Sequence, residues 1–420
     1  MNSVELIKFD NDLTLAHYYN PNVLTVGIMF TAKAGLIIEK PEQQGISHFL
    51  EHLSFKGTEK RDAYQTTFEL DKLGANSNAY TTKQNTSYYA LCLAEKADAV
   101  MDILSDMYFN SCIKEKEFKS ERKVVYEEIK ESKDDNGDIV YSALSSLYFK
   151  GSPLAKEILG TRNTLSKLTP EDVREYRDTH YTANNTIITI AGNVNREDAI
   201  ALVKKYCLNS FKRENVVYEI PEIKTNSGVI ISKKDIQQNY LEIFLPGFAS
   251  MDDRLFTLKI FSSIFGSSYS SRLYQQLREK KALCYSINTS AVSFSNVGVF
   301  NISSSFNADR TEEMLDGIIS ESKKFLNKGL TQEELDLVKT QIKTAFAFGQ
   351  ESISSMMKAV NSAAFYDEAL DYNDYIEKYS KVTIDDIMDV AKYTLDFSKA
   401  GVSLLGKDIK LDVKKKFGLK

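Results

Sequence analysis

The sequence predicts an α+β fold of two homologous domains, each an antiparallel-rich sheet packed with helices. One observation behind this is an internal repeat: the motif at residues 166–169 recurs at 380–383, and an apolar run ending at Gly192 recurs as one ending at Gly406. Both landmarks are offset by 214 residues, which indicates a duplicated unit. The other observation is that strand-like and helix-like runs follow one another without strict β-α-β alternation, which favours an α+β arrangement.

The repeat divides the 420-residue chain into two halves. A chain of this length exceeds one ordinary hydrophobic core. The stretch between the halves is charged and polar and contains Pro221, as is typical of a linker. We therefore expect an N-terminal domain at residues 1–215, a linker at 216–228 and a C-terminal domain of similar fold at 229–420.

The spacing of apolar residues predicts the individual elements. The predicted strands are 25–34, 86–94, 186–191, 229–232, 240–244 and 297–304. The predicted helices are 46–55, 97–109, 115–133, 256–265, 311–327 and 332–352. Thr169 and Thr383 are each followed by acidic residues, so each is predicted to cap the N-terminus of a further helix.

Composition narrows the class of protein. The chain is 43% apolar and 26% charged, which is typical of a folded globular protein. Its net charge of −5 gives no reason to expect a nucleic-acid partner. Neither a signal peptide nor an apolar run suited to a membrane helix is visible. We expect a cytoplasmic protein with no nucleic-acid or membrane partner.

The motif that carries chemistry is His48-Phe-Leu-Glu51-His52. Positions i, i+3 and i+4 of a helix lie on one face, so both imidazoles and the carboxylate would point into one space. This is the inverted zincin pattern H-x-x-E-H. The alternative is two structural or surface histidines on one helix, but the chain has only four histidines in total.

A catalytic zinc site needs a third protein ligand and a position left for water. The predicted helix at 115–133 offers four carboxylates, and the motif alone does not choose among them. A solvated acidic helix face is the alternative interpretation. The four candidates are Glu121, Glu127, Glu128 and Glu131.

The run at residues 48–58, with Glu128 lying 76 residues beyond His52, resembles the pitrilysin-type (M16) zinc metallopeptidases. The length is similar to that of the short, two-domain bacterial type, which is related to mitochondrial processing peptidase. The resemblance implies one zinc ion per chain, bound by His48, His52 and Glu128. It also implies that Glu51 is the general base and that Glu121 supports the site.

Two further motifs resemble family features. Arg278 and Tyr285 resemble an Arg/Tyr pair that binds substrate and stabilises the oxyanion; from the residues alone, Arg278 would be a surface residue and Tyr285 a core residue. The stretch around Asn78 and Ala79 resembles an edge strand to which the peptide substrate adds.

The resemblance implies a zinc metalloendopeptidase that hydrolyses peptides or unfolded segments. The second half has no histidine, since the 214-residue offset takes His48 to Ser262 and His52 to Gly266. Large relatives carry four such domains and this chain has two, so we expect a homodimer. The alternatives are a subunit of a heteromeric processing peptidase and a non-catalytic scaffold subunit.

Overall fold

The computed structural model describes residues 4–217, 219–407 and 409–419. The chain forms two compact units, and each draws on three segments. Unit 1 consists of Met1–Lys130, Glu157–Glu219 and Phe346–Tyr372, and unit 2 of Glu131–Lys156, Ile220–Ala345 and Asn373–Lys420. Each unit therefore takes segments from both halves of the repeat. The domain boundaries 1–215, 216–228 and 229–420, which follow the repeat along the chain, stay a prediction.

Each unit contains one mixed sheet. Sheet 1 has the order β1-β2-β6-β3-β5-β4, and sheet 2 has the order β7-β11-β8-β10-β9. The β2–β6 and β7–β11 pairs are parallel, and the other pairs are antiparallel. The strands are β1 (Val4–Lys8), β2 (Thr14–Tyr19), β3 (Thr25–Ala32), β4 (Asn76–Thr81), β5 (Thr86–Leu93), β6 (Thr186–Gly192), β7 (Gly228–Lys233), β8 (Gln238–Pro246), β9 (Cys284–Ser293), β10 (Gly298–Asn307) and β11 (Gly401–Gly406).

Helices cover both sheets. They are α1 (Ile46–Ser54), α2 (Ala63–Lys72), α3 (Ala97–Asn110), α4 (Glu115–Asp134), α5 (Asn136–Tyr148), α6 (Arg162–Lys167), α7 (Pro170–His180), α8 (Arg196–Tyr206), α9 (Arg254–Ser262), α10 (Thr311–Lys328), α11 (Gln332–Glu351), α12 (Ile353–Phe365), α13 (Tyr372–Lys381), α14 (Ile384–Thr394) and α15 (Val413–Phe417). Two π-helical stretches, Ser263–Ser267 and Tyr274–Lys280, follow α9. None of the helices in the described part of the chain is long and apolar enough to cross a bilayer.

The structure confirms the predicted fold class, and the repeat appears in local detail. Thr169 is the N-cap of α7 and Thr383 is the N-cap of α14, each in a capping box closed by an aspartate three residues later. The strands that follow, β6 and β11, occupy the same place in their sheets, next to the single parallel partner. Equal spacing in the sequence therefore corresponds to equal positions in the two sheets.

Each sheet is covered on one face by a helix from the other half of the chain. In unit 1, α12 packs on β6 and β3, where the side-chain oxygen of Asn361 accepts hydrogen bonds from Thr31 and Thr189 at 3.0 and 3.1 Å. In unit 2, α5 packs on β11 and β8, with the rings of Tyr148 and Phe244 5.6 Å apart. The sequence analysis predicted neither helix.

The opposite face of sheet 1 supports the metal motif. Here α1 packs against β4, β5 and α7, and α3 packs against β3 and β5. The apolar residues Phe49, Leu50 and Leu53 of α1 are fully buried in this core. Burial of one face of α1 leaves the histidines and Glu51 on the remaining face, as the helical period requires.

Candidate metal centre and active site

The N-terminus of α1 is held by a glycine and a buried carboxylate. Gly45 precedes the helix with φ of 92°, and a Cβ atom there would lie 2.7 Å from the carbonyl oxygen of Leu159. The Glu39 carboxylate accepts hydrogen bonds from the N–H groups of Gly45 and Ser47 at 2.8 and 2.9 Å. Its charge lies at the positive end of the helix, which stabilises the start of α1.

Three candidate ligand atoms converge beside α1. The Nε2 atoms of His48 and His52 lie 3.8 and 3.5 Å from Oε2 of Glu128 on α4, and one ligand atom from each residue lies within 4.8 Å of the others. In a tetrahedral zinc site with bonds of about 2.0–2.2 Å, ligand atoms lie roughly 3.3 Å apart. The three donors have the chemistry and nearly the spacing of such a site.

The neutral state of His48 and the hydrogen bond at His52 Nδ1 each leave a ring nitrogen that can face a metal. Burial, with the neighbouring His52, lowers the pKa of His48 to about 4, so its imidazole is neutral at physiological pH. Burial also acts to lower the pKa of His52, but the hydrogen bond to Glu121 and the nearby carboxylates outweigh it and raise that pKa. His52 Nδ1 lies 2.9 Å from Glu121, so a proton held there leaves Nε2 free to bind a metal.

Glu121 links His52 to a cation. It is 5% exposed, and its second oxygen lies 2.7 Å from the Lys56 ammonium. Burial acts to raise the pKa of Glu121, but the bonds to His52 and Lys56 outweigh it and lower that pKa. The carboxylate therefore stays charged and orients the His52 ring. Lys56 was not recognised from the sequence, where it is one of many lysines.

Glu51 lies at the same face with a partner of its own. The hydroxyl of Thr81, at the end of β4, donates to Glu51 Oε2 at 2.6 Å. Burial raises the pKa of Glu51, and the bond from Thr81 opposes part of that rise. A carboxylate with a raised pKa suits proton transfer. No role was predicted for Thr81 from the sequence, although it lies on the predicted edge strand, two residues beyond Ala79.

The strand that carries Thr81 forms one edge of sheet 1. Asn78 and Ala79 of β4 pair with Tyr89 and Tyr88 of β5, and no strand of the described residues pairs with the other side of β4. An unpaired strand edge can accept another strand by backbone hydrogen bonding.

Among the carboxylates that the sequence offered on α4, Glu127 lies away from the metal centre: it is exposed and lies 3.7 Å from Lys130 on the same helix.

Arg278 and Tyr285 lie together in unit 2. Arg278 Nε donates to the backbone carbonyl of Tyr285 at 3.0 Å, and the Tyr285 hydroxyl donates to Asn307 at 3.0 Å. Tyr285 is 56% exposed, so its interpretation as a core residue, made from the residues alone, is wrong. The Arg278 side chain is also partly exposed. Both side chains are open to a ligand.

Two family models match this chain. The one described as insulinase (peptidase family M16) matches residues 15–162, and the one described as peptidase M16 inactive domain matches residues 167–342. The chain belongs to peptidase family M16. Within this M16 chain, the residues of the candidate metal centre all lie in the first matched region, and Arg278 and Tyr285 lie in the second.

Relatives of this M16 chain match it over nearly their full length. An uncharacterized zinc protease of Rickettsia felis is 34% identical over 387 residues, which cover 91% of this chain and 93% of the relative. The mitochondrial-processing peptidase subunit beta of Saccharomyces cerevisiae is 25% identical over 95% of this chain and 90% of its own length. A crystal structure of a protease from Helicobacter pylori shares the fold with a TM-score of 0.91 at 21% identity, covering 97% of this chain and all of that one.

Proposed function

We propose that this M16 chain is a zinc-dependent endopeptidase that hydrolyses peptides or unfolded segments. The supporting observation is the convergence of His48, His52 and Glu128 beside a carboxylate, Glu51, whose pKa is raised by burial. These three residues would bind one zinc ion per chain. When bound, zinc would supply Lewis-acid chemistry, polarising a peptide carbonyl and lowering the pKa of water.

The chain's own residues would move the proton. Glu51, as general base, would take a proton from the attacking water and later pass it to the leaving amine. The hydrogen bond from Thr81 would hold the Glu51 carboxylate towards the reacting water. Glu121 would not touch the substrate; it would hold the His52 ring in the orientation that leaves Nε2 available.

The second unit would bind the peptide and stabilise the oxyanion. Tyr285, through its phenol, would donate to the developing negative charge on the carbonyl oxygen, where one preorganised donor is worth about 10²–10³ in kcat. Arg278, through its guanidinium, would donate to a peptide carbonyl. The edge strand β4, at Asn78 and Ala79, would pair with the peptide backbone. Such pairing reads no side chain and therefore suits varied sequences.

A cleavage assay with Glu51→Gln tests the proposal. A mixed peptide pool is incubated with the chain, with and without a chelator, and the products are identified by mass spectrometry. We expect cleavage that the chelator abolishes, and a loss of about 10²–10⁴-fold in Glu51→Gln, the range for a general base. Glu127→Gln, an exposed change on α4, is the matched control and should cleave normally. A Glu51→Gln chain that binds zinc and still cleaves at the normal rate contradicts the mechanism.

A second candidate is one subunit of a heteromeric processing peptidase. Similarity to a processing-peptidase beta subunit over 95% of this chain favours it. Against it, this chain carries both the candidate metal centre and the Arg278/Tyr285 pair, so it would not need a partner to supply either. Copurification with a related chain, and activity only when both are present, would favour this candidate. If the purified chain cleaves peptides alone, the candidate is wrong, and so is the scaffold alternative.

We further propose that two copies of the chain form the active homodimer. The expectation derives from domain number, because the chain has two units and larger relatives in the family have four domains. Sedimentation velocity combined with activity across a dilution series tests it. A monomer that keeps full activity per chain on dilution would contradict the homodimer.

A further inference from the structure

The strand β9 begins with a β-bulge centred on Tyr285. Ser286 pairs with Ser305 of β10, and the next pair joins Cys284 to Phe306, so Tyr285 has no partner across the ladder. A bulge redirects the extra side chain and frees its backbone groups from the ladder. Tyr285 is accordingly 56% exposed, whereas its neighbour Cys284 is 9% exposed.

Two hydrogen bonds make use of this bulge. The freed carbonyl of Tyr285 accepts from Arg278 Nε, and the phenol of Tyr285 donates to the side-chain oxygen of Asn307, the last residue of β10, both at 3.0 Å. The Arg278 guanidinium also lies 4.8 Å from the ring centre of Tyr274. Arg278, Tyr285 and Asn307 line one open hollow in unit 2.

The hydrogen bond from Tyr285 to Asn307 uses the proton that Tyr285 would donate to the oxyanion. The two are compatible only if Asn307 can also act as a hydrogen-bond donor. A phenol has a single proton to donate, and here it goes to Asn307. An oxyanion would need that same proton. A carboxamide, however, carries an acceptor oxygen and a donor NH₂ on one group. If the Asn307 amide turns over, Nδ2 donates to the phenol oxygen and the phenol proton is free for the substrate.

We propose that Asn307 is a positioning residue for the reaction, holding the Tyr285 phenol by accepting its proton without substrate and by donating to its oxygen in the transition state. This inference rests on the proposed function, since it takes Tyr285 as the donor to the oxyanion. Asn307 does not touch the peptide. Its two hydrogen-bonding groups let the phenol change acceptor without moving.

A double-mutant cycle tests the inference in the full chain. Asn307→Leu keeps the side-chain size and removes both hydrogen-bonding groups. We expect kcat to fall roughly tenfold, a part of the 10²–10³-fold that the loss of a whole oxyanion donor costs, with KM changed little. In a Tyr285→Phe chain, which has no phenol to hold, Asn307→Leu should cost nothing further. An equal cost in both backgrounds would indicate a merely structural role and overturn the inference.

The variant Asn307→Asp separates the two hydrogen-bonding roles of Asn307, as acceptor from the phenol and as donor to it. A carboxylate still accepts a hydrogen bond from the phenol but has no N–H to donate to the phenol oxygen. We therefore expect kcat to fall about as far as in Asn307→Leu. Full activity in Asn307→Asp would overturn the switch from acceptor to donor. Asn296→Leu is the matched control, because exposed Asn296 lies in the turn of the same hairpin, about 30 Å along the strands at ~3.3 Å per residue. It should leave kcat and KM unchanged.

A measurement without substrate distinguishes this inference from the proposed function. The chain is labelled with [¹³Cζ]tyrosine, and the Tyr285 signal is identified by its absence from Tyr285→Phe. We expect Asn307→Leu to shift that signal and Asn296→Leu to leave it in place. An unshifted signal in Asn307→Leu overturns the inference even if peptides are cleaved. A chain that cleaves no peptide while the signal shifts shows the proposed function to be wrong and the Asn307–Tyr285 contact to be real.

Discussion

The helix α1 of unit 1 corresponds, by the 214-residue offset, to the end of α9 and the π-helical stretch Ser263–Ser267 in unit 2, but only α1 carries candidate metal ligands. Each packs against the edge strand of its sheet and against a capped helix, α7 or α14. Unit 1 has His48 and His52 where unit 2 has Ser262 and Gly266. Unit 2 therefore has a similar framework without the candidate metal ligands.

The loss in unit 2 is steric as well as chemical. A Cβ atom at Gly266 would lie 2.3 Å from Cγ2 of Thr289 on β9, and Ser262 is hydrogen-bonded to Thr289 at 3.0 Å. Ala79 holds the equivalent place on β4. The equivalence follows from counting across each sheet, where every residue pairs with the next one on the neighbouring strand. In sheet 1 the row across β6, β3, β5 and β4 is Ile188, Phe30, Tyr88 and Ala79. In sheet 2 the row across β11, β8, β10 and β9 is Val402, Ile243, Ile302 and Thr289. Ala79 is smaller than Thr289, so unit 1 has no side chain of that size at this place beside its helix.

Removing one ligand from unit 1 should give the largest effect. Glu128→Gln replaces a charged donor with a neutral amide, so we expect the zinc content after dialysis to fall from one per chain towards zero. Peptide hydrolysis should fall by about 10³-fold or more, beyond the 10–100-fold that the loss of an outer partner costs. Metal analysis and the peptide assay measure both. If zinc stays bound and the rate is normal, Glu128 is not a ligand.

Removing the support of a ligand should give a smaller loss. Glu121→Gln keeps the shape but weakens the charge-assisted bond to His52 Nδ1, so zinc affinity or activity should fall about 10–100-fold. Titration with a competing chelator measures the affinity. Exposed Glu131→Gln on the same helix is the control. Equal affinities in the two variants would show that Glu121 has no part in the metal centre.

Much of this contrast could be predicted from the sequence, because its signals are local. Helical periodicity predicted residues 115–133 for the helix found at Glu115–Asp134, and the threonine caps predicted α7 and α14. The lack of histidine in the second half predicted that only the first half of the chain could carry this metal site. Each of these inferences needs only neighbours along the chain.

The remaining features depend on contacts between distant segments. Helix α12 was not predicted from the sequence, and no local pattern indicates that its Asn361 meets strands of the first half of the chain. The exposure of Tyr285 follows from a bulge, which exists only in the pairing of β9 with β10. Glu39 is separated from the α1 N-terminus by a turn that brings it back. Composition and spacing give no signal for such contacts.

Adding a side chain at Gly266 tests whether steric crowding by Thr289 excludes one from this place in unit 2. Gly266→Ala should destabilise the protein by about 1–3 kcal/mol through overpacking against Thr289, and Thr289→Ala in the same chain should relieve most of that cost. Urea unfolding measures both. Gly349→Ala is the control, since a Cβ atom at this helical glycine meets nothing within 4 Å and should stabilise slightly. A neutral Gly266→Ala would show that the space is open and that chemistry alone separates the units.

A carboxylate in sheet 2 should affect stability in a way that depends on pH. Glu242 pairs with Ser403 as Met29 pairs with Thr189 in sheet 1, so a buried apolar residue of unit 1 is matched by an ionisable residue in unit 2. Burial raises the pKa of Glu242 from 4.5 to about 7, and its Oε2 atom is buried with no hydrogen-bond partner among the described residues.

The sign of the pH dependence follows from that raised pKa. The folded state favours the neutral acid, so its contribution to stability is complete below pH 4.5 and is lost as the pH rises through about 7. Glu242→Gln removes the titration. Its stability relative to the natural chain should therefore rise by about 2 kcal/mol between pH 5 and pH 8.5, measured by urea unfolding. Exposed Glu333→Gln should show no such trend. If the difference for Glu242→Gln is flat with pH, the carboxylate is solvated in the folded state, and this position of sheet 2 is not the buried counterpart of Met29.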